Sequence, residues 1–215
     1  MYKRQDVVSG VTVTRVEQAG EAWHVHDDEG NRWEAAGVVA TAPLPQLHRM
    51  MPEAPEIWSN HPYRPTWSVV LASQTLPPKG LGKILEGIGL EVEQSDGTTG
   101  AVVHFSHDWS ATNLEAERTE IVQSFMEMTA NVEEDVRRWL KSASCQAHRW
   151  RYGRADAFGV RSKLPRLVEA GDAWGEPVGT GGAALRSGAW AAAHIAWQCS
   201  QHLRPTSAPV QQTLF

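Results

Sequence analysis

The sequence is short of the features that would place a chain quickly. Its two cysteines, Cys145 and Cys199, are far apart and lack Cys-x-x-Cys spacing, so a disulfide framework and a thiolate zinc site have no support and both read as reduced packing residues. No apolar run approaches the roughly 20 residues that span a bilayer, and Met1 to Asp6 is too short and polar for a secretory signal. The chain is therefore expected to be soluble and cytoplasmic, with no membrane partner. Charge of one sign is never massed: 25 acidic and 20 basic residues are interspersed, for a formal net charge of -5, and no basic block is available to follow a phosphate backbone. Nucleic acid is accordingly not an expected partner. No His-x-x-x-His helix, no His-x-His-x-Asp run and no strand leading into Gly-x-Ser-x-Gly is found. A cluster of His104, His107 and His148 keeps one rival class in view, a metal-dependent hydrolase, although no metal ligand is assigned.

What is there is a chain of 215 residues, 41% hydrophobic, long enough to bury a core in one or two domains. Ten tryptophans can fill that core or line an aromatic cavity. The β-branched run Val7 to Val16 predicts a strand, Trp23 to His26 alternates as a second, and Asp27-Asp28-Glu29-Gly30-Asn31 predicts a turn into a return strand over Arg32 to Ala36. Gly37 to Ala42 predicts a short buried strand ended by Pro43 and Pro45, and Pro52 to Pro65 reads as connection. Strands are predicted at Trp67 to Ala72 and Gly100 to Ser106, with a turn at Pro77 to Gly80. Asn113 to Leu140 has no proline or glycine and sets Ile121, Phe125, Met128, Val132, Val136 and Leu140 on one face, predicting a single long helix. Ala147 to Tyr152 and Arg166 to Ala170 follow as strands, Ala183 to Leu203 as a glycine-opened helix, and Pro205 to Phe215 as a loose polar tail.

The segment richest in chemistry runs from Leu167 through Ala170-Gly171-Asp172-Ala173-Trp174-Gly175 to Gly179-Thr180-Gly181-Gly182-Ala183-Ala184-Leu185-Arg186-Ser187-Gly188. A short apolar strand ends in Gly-Asp, a glycine-rich loop follows, and a helix of small residues begins. Glycines let backbone N–H groups approach a ligand closely, and a helix N-terminus offers unpaired donors to an anion or an electron-rich ring edge. Asp172 at a strand end suits a sugar-like hydroxyl, while the small residues let the helix lie against a sheet or a flat cofactor. Ser187 reads as a packing residue of that helix.

The order strand, Ala-Gly-Asp, loop, Gly181-Gly182-Ala183 and Ser187-Gly188 resembles the C-terminal flavin-contacting motif of the FAD-dependent amine-oxidase superfamily. The resemblance implies that Asp172 binds the ribityl chain and that the helix from Gly181 to Ala192 aims its N-terminus at the flavin ring. Gly171, Gly179, Gly181, Gly182 and Ala183 would then be cofactor contacts. Val13 to Val16, Trp23 to Val25, Gly30 and Val38 to Pro43 are similar to the family's meander and its return toward the cofactor, implying Val13 near the adenine and Thr41 and Pro43 near the flavin. Val103 to Ser110 and His148 to Tyr152 resemble the substrate-domain segments of bacterial renalase-like proteins; His104, Trp109, Trp150, Tyr152 and Trp174 are expected on the substrate side, with Trp109, Trp150 and Trp174 nearest a flavin cavity. Arg149, Arg151 and Arg154, interleaved with Trp150 and Tyr152, either grip an anionic substrate group or stack on a flat ring, or else decorate the charged outer face of an edge strand.

The resemblance spans roughly Val7 to Leu203, yet the Gly-x-Gly-x-x-Gly opening that holds the pyrophosphate is not matched anywhere. A C-terminal portion of such an enzyme is therefore expected, with Met1 to Gln5 foreign to the family; an inactive fragment is the third possibility. The implied fold is α+β, an incomplete FAD-binding α/β fold plus an antiparallel-sheet substrate domain with a long helix. Boundaries are expected at 6–45 for the meander part, 46–147 for the substrate domain, 148–204 for the C-terminal FAD-binding part and 205–215 for the tail. The cofactor would be FAD, and the partners a reduced nicotinamide or an amine, with oxygen as electron acceptor.

Overall fold

The computed structural model describes residues 6–76, 78, 89–93 and 98–202. In chain order it sets out β1 (Val13–Ala19), β2 (Ala22–Asp27), β3 (Arg32–Ala35), β4 (Val38–Ala40), α1 (Leu44–Met50), a 3-10 turn (Glu56–Trp58) and β5 (Tyr63–Ser73). There follow β6 (Gly89–Glu93), β7 (Thr99–His104), α2 (His107–Thr112), α3 (Arg118–Met128), α4 (Glu134–Ser142) and β8 (Ser144–Ala155). The chain closes with β9 (Leu167–Glu169), a 3-10 turn (Asp172–Trp174) and α5 (Gly181–His202). The mixture of helices and sheets agrees with the expected α+β class. Among the described residues no helix is long and apolar enough to cross a membrane.

Two compact units divide the chain. A discontinuous unit takes the residues up to Pro62 and those from Asp156 on, and an inserted unit takes Tyr63–Ala155. The crossings thus fall at 62/63 and 155/156, later than the sequence boundaries at 45/46 and 147/148. Both crossings coincide with the first pair of one ladder, since Tyr63 of β5 faces Ala155 of β8.

In the discontinuous unit, β1, β2 and β3 form an antiparallel meander, and β4 pairs with β9 in parallel, Val38 facing Leu167 and Ala40 facing Glu169. Trp23 is fully buried and packs with Val16, Ala40, Leu44, Leu47, Met51, Trp58 and Leu167. On another side Val168 and Ala170 pack with Ala191 and Ile195 of α5. Strand β9 is buried along its whole length, as parallel strands covered on both faces are.

The inserted unit is a four-stranded antiparallel sheet in the order β6-β7-β5-β8. Trp67, Val69 and Leu71 alternate on β5 and meet Ile121 and Phe125 of α3 and Val136, Trp139 and Leu140 of α4. Period-two burial on the strand against helical spacing is what a sheet with one covered face requires.

Three expectations change. The strand over Val7 to Val16 starts only at Val13, because its partner β2 ends opposite it at Asp27; Val7 and Val8 stand exposed. The single helix over Asn113 to Leu140 is two. The Glu120 carboxylate accepts from the Glu117 N–H at 2.9 Å to open α3, and the Thr129 hydroxyl donates to the Phe125 carbonyl at 2.9 Å where it closes. Hydroxyl side chains compete in this way with helix continuation. Met128, placed on the buried face, is 60% exposed. The turn predicted at Pro77 to Gly80 and the tail from Pro205 lie outside the described residues, Pro78 excepted.

Candidate functional site

The parallel pair β4 and β9 ends with both carboxyl termini on one side, the position at which open α/β sheets receive ligands. The Ala170 N–H donates to the Ala40 carbonyl at 2.9 Å, carrying the register one residue past the strands and bringing Thr41 and Gly171 side by side. Gly171 has φ of 141°, a backbone conformation that favours glycine. Its peptide is clasped by α5: the Gly171 N–H donates to Ser187 Oγ at 2.9 Å, and the same hydroxyl lies 2.8 Å from the Gly171 carbonyl. Ser187 is buried, so the packing role predicted for it takes this specific form.

Asp172 opens the 3-10 turn directly after Gly171, and its carbonyl accepts from the Gly179 N–H at 2.9 Å, which folds the glycine loop back on the turn. Gly179, at φ of 75°, makes the reversal. Thr180 then caps α5, its hydroxyl accepting from the Ala183 N–H at 3.1 Å. Gly181 and Gly182 form the exposed first turn, and a Cβ added at Gly181 would meet open space. First-turn N–H groups have no acceptor within their own helix. The arrangement therefore sets Asp172, a glycine-rich turn and a helix N-terminus close together in the chain.

Other groups gather at the same turn that the sequence did not mark. Glu169 is 1% exposed, with Oε1 accepting from the Ser162 N–H at 3.0 Å and Oε2 standing 3.4 Å from the Arg161 guanidinium. Gly159 lies flat against Trp174: an added Cβ would come within 2.4 Å of the indole. Burial pushes the His61 imidazole below its usual pKa, while the Ala157 carbonyl, 3.1 Å from Nε2, and the Asp172 carboxylate act the other way. A carbonyl only accepts, so Nε2 is the nitrogen that carries a proton. The one signal in the sequence was Glu169 itself, a charge inside an apolar strand.

The predicted site residues divide between the units. Thr41, Gly171, Asp172, Trp174, Gly179, Gly181, Gly182 and Ala183 belong to the turn and its helix. Pro43 precedes α1, where its carbonyl accepts from the Leu47 N–H at 3.0 Å, and Val13 is half-buried at the start of β1, opposite Asp27. The remaining substrate-side residues are in the inserted unit. His104 is exposed on β7 with Nδ1 at 2.8 Å from Ser68 Oγ. Trp109 stacks on Phe105 at 4.1 Å between centroids, Tyr152 meets Tyr63 edge-on at 5.5 Å, and Trp150 is 51% exposed beside His148.

One sequence alternative resolves. Among the described residues no three His, Cys, Asp or Glu side chains converge as metal ligands, and His107 is engaged by the Pro65 carbonyl and the Thr66 hydroxyl, so the imidazole cluster behind the hydrolase reading does not form. Arg149 and Arg151 both reach Glu115, at 3.1 and 2.7 Å, on the edge strand β8. The Arg151 hydrogen bond, assisted by Arg149, holds the Glu115 carboxyl below its usual range. Arg149 also lies over the Trp67 ring, 5.8 Å from its centroid.

No family model matches the chain. Solved structures of putrescine oxidase are similar in fold. The wild type bound to putrescine shares 17% identity at a TM-score of 0.52, over 86% of this chain and 48% of that one. Two variants from a structure-based redesign of its cofactor binding give TM-scores of 0.54 and 0.55 at 17% and 16% identity, each over 87% of this chain and 48% of theirs. The chain thus spans about half the length of the putrescine oxidase chains it matches.

Proposed function

We propose that this chain is the C-terminal, flavin-ring-facing portion of an FAD-dependent oxidoreductase of the amine-oxidase and renalase type, working in the cytoplasm. The observation that carries the reading is the Gly171-Asp172 turn, set at the carboxyl ends of two parallel strands and locked to the N-terminal part of α5 by Ser187. Likeness in fold to putrescine oxidase, over about half of its length, supports it. The chemistry FAD supplies there is acceptance of a hydride from a reduced nicotinamide or an amine, and return of the electron pair to oxygen as hydrogen peroxide.

The residues of this chain orient and shield. If FAD binds here, Asp172 would accept a hydrogen bond from a ribityl hydroxyl, and the first-turn amides of Gly181 and Gly182, with the dipole of α5, would favour negative charge at the electron-rich edge of the ring. Thr41 lies beside Gly171, and Pro43, which precedes α1, and Val13, at the start of β1, would lie toward the flavin and the adenine. His104, Trp109, Trp150 and Tyr152 are the substrate-side candidates of the inserted unit, and Trp174 that of the discontinuous one. No acid-base pair is required of the protein, since the cofactor carries the bond-breaking step.

The test is the visible absorption spectrum of the purified chain after incubation with FAD and gel filtration. Retained flavin bands are expected, with Asp172→Ala weakening the affinity about 10- to 100-fold, the worth of one hydrogen bond to a charged group. Absence of flavin from this chain and from a version extended by the upstream coding sequence overturns the reading.

A further inference from the structure

The segment from Asp156 to Leu164 has no regular secondary structure, yet it is pinned at short intervals. The Ala157 carbonyl meets His61 Nε2 at 3.1 Å, the Gly159 N–H donates to the Ala173 carbonyl at 2.9 Å, the Val160 carbonyl accepts from the Trp58 indole, and the Ser162 N–H donates to Glu169. Alternate residues face alternate ways. Phe158 and Val160 are about half exposed, bordering a recess with Ile57 and His61, whereas Gly159 and Arg161 turn to Trp174.

Arg161 is the most fully engaged group on this segment. Its guanidinium carbon lies 4.7 Å from the centroid of the Trp174 ring and 4.2 Å from that of Trp190, while its Nη1 donates to the Glu169 carbonyl at 2.8 Å and approaches the Glu169 carboxylate at 3.4 Å. Trp174 closes the turn that begins at Gly171, its N–H donating to the Gly171 carbonyl at 3.3 Å. Trp190 is three residues beyond Ser187 on α5. The turn and the helix are therefore tied twice: once by Ser187 on Gly171, and once by Arg161 between the two indoles.

We propose that Arg161 is a positioning residue for the candidate cofactor site, holding Trp174 against α5 and so fixing the Gly171-Asp172 turn relative to the helix N-terminus. A planar guanidinium suits this task because it stacks on two rings and still donates in its own plane; an ammonium does not. With two rings and Glu169 already bonded to it, the group is a clasp and not a receptor for a ligand anion. Partial burial lowers its pKa and Glu169 opposes that fall, so the cation is retained.

The proposal rests on the flavin reading for its consequence but not for its geometry, and the experiment separates the two. Arg161→Lys keeps the charge opposite buried Glu169 and removes the plane; Arg161→Met removes both. In the chain without flavin, Arg161→Lys is expected to shift the amide resonances of Gly171 to Gly175 and Gly179, with those of β1 and β2 unmoved and the thermal midpoint little changed. With FAD added, it is expected to weaken binding about tenfold, two lost stacking contacts, and to alter the visible circular dichroism of the bound flavin. Arg161→Met, by leaving Glu169 unpaired, is expected to do the same more severely. Unmoved turn resonances in both variants overturn the proposal whatever the flavin does. Moved resonances with unchanged affinity and unchanged flavin dichroism also overturn it, leaving Arg161 as packing alone. Moved resonances in a chain that binds no FAD uphold the clasp and count against the flavin reading instead.

Discussion

The inserted unit and the discontinuous unit are held together in different ways. In the inserted unit one contiguous core joins the covered face of a four-stranded sheet to α3 and α4, and its largest members, Trp67 and Trp139, are at most 5% exposed. In the discontinuous unit the buried side chains fall into two clusters, one under the meander and one of three small members beneath α5. The region around Gly171 is fixed instead by hydrogen bonds to backbone atoms and by glycines that let backbone lie against rings. Burial of large side chains gives stability with little need for exact placement, because hydrophobic attraction has no direction. Direction at the candidate site comes from Ser187, Thr180 and Arg161 acting on the turn. Ile57, Phe158, Leu185, Trp190 and Trp197 are all at least 45% exposed in the discontinuous unit.

The comparison breaks most visibly at Trp67. It is 1% exposed, its indole N–H donates to the Asn113 carbonyl at 2.9 Å, and its backbone N–H donates to Ser110 Oγ at 2.9 Å. Trp67→Ala is expected to cost about 3–5 kcal/mol, the range for a large aromatic removed from a packed core. Hydrogen exchange is the suitable reading: protection in β5, β7 and β8 falls together, and that in β1 and β2 is retained. Loss of protection in both units at once would show that they do not unfold separately.

Ser187→Ala tests the other side. The hydroxyl serves both polar atoms of the Gly171 peptide, so its removal strands a part-buried N–H and is expected to cost about 1–3 kcal/mol. The loss should be confined to the turn and α5, seen as faster exchange at Gly171 without change in β5. Flavin affinity should fall as well, because the turn carries Asp172. A loss spread evenly over both units would contradict the view that this region is fixed by local clasps.

What could be read from the sequence follows the same division. The meander was legible because its signals are local: alternation at Trp23 to His26 and a turn at Asp27 to Asn31 decide the pairing of neighbouring strands. The glycine turn and α5 were legible because glycine and Gly-Asp mark unusual backbone wherever they stand. The break between α3 and α4 was hidden because Ile121, Phe125, Val136 and Leu140 keep helical phase across it, while the hydrogen bonds of Thr129 and the turns at Ala130 and Val132 that end the first helix leave no mark in that phase. Gly159, Arg161 and His61 were missed for a further reason: each acts on residues distant in sequence, as Trp58 does on Val160 across 102 positions. Nothing in a run such as Gly159-Val160-Arg161-Ser162 marks which side will meet an indole.

The smallest effect sharpens the contrast through pH. Asp27 closes the turn between β2 and β3, with Oδ1 accepting from the Asn31 N–H at 2.7 Å and the Glu29 N–H at 3.0 Å, and Oδ2 accepting from the Asn31 side chain at 2.8 Å. Removal from water by itself would raise its pKa; the hydrogen bonds from Asn31, Glu29 and Gly30 outweigh that and hold it below the usual carboxylate range. A depressed folded pKa contributes stability that is fully present above the unfolded value, about 3.9, and is lost as pH falls through the folded one. Asp27→Asn is therefore expected to lower the urea midpoint of the discontinuous unit at pH 7, with the gap to the parent chain closing below about pH 4. The inserted unit should not follow, because its comparable group, Glu115, is paired with Arg149 and Arg151 on an exposed face where such pairs count for little. A gap that did not narrow at all as pH fell from 7 into the acid range would assign the effect of Asp27 to the shape of its side chain and not to its charge.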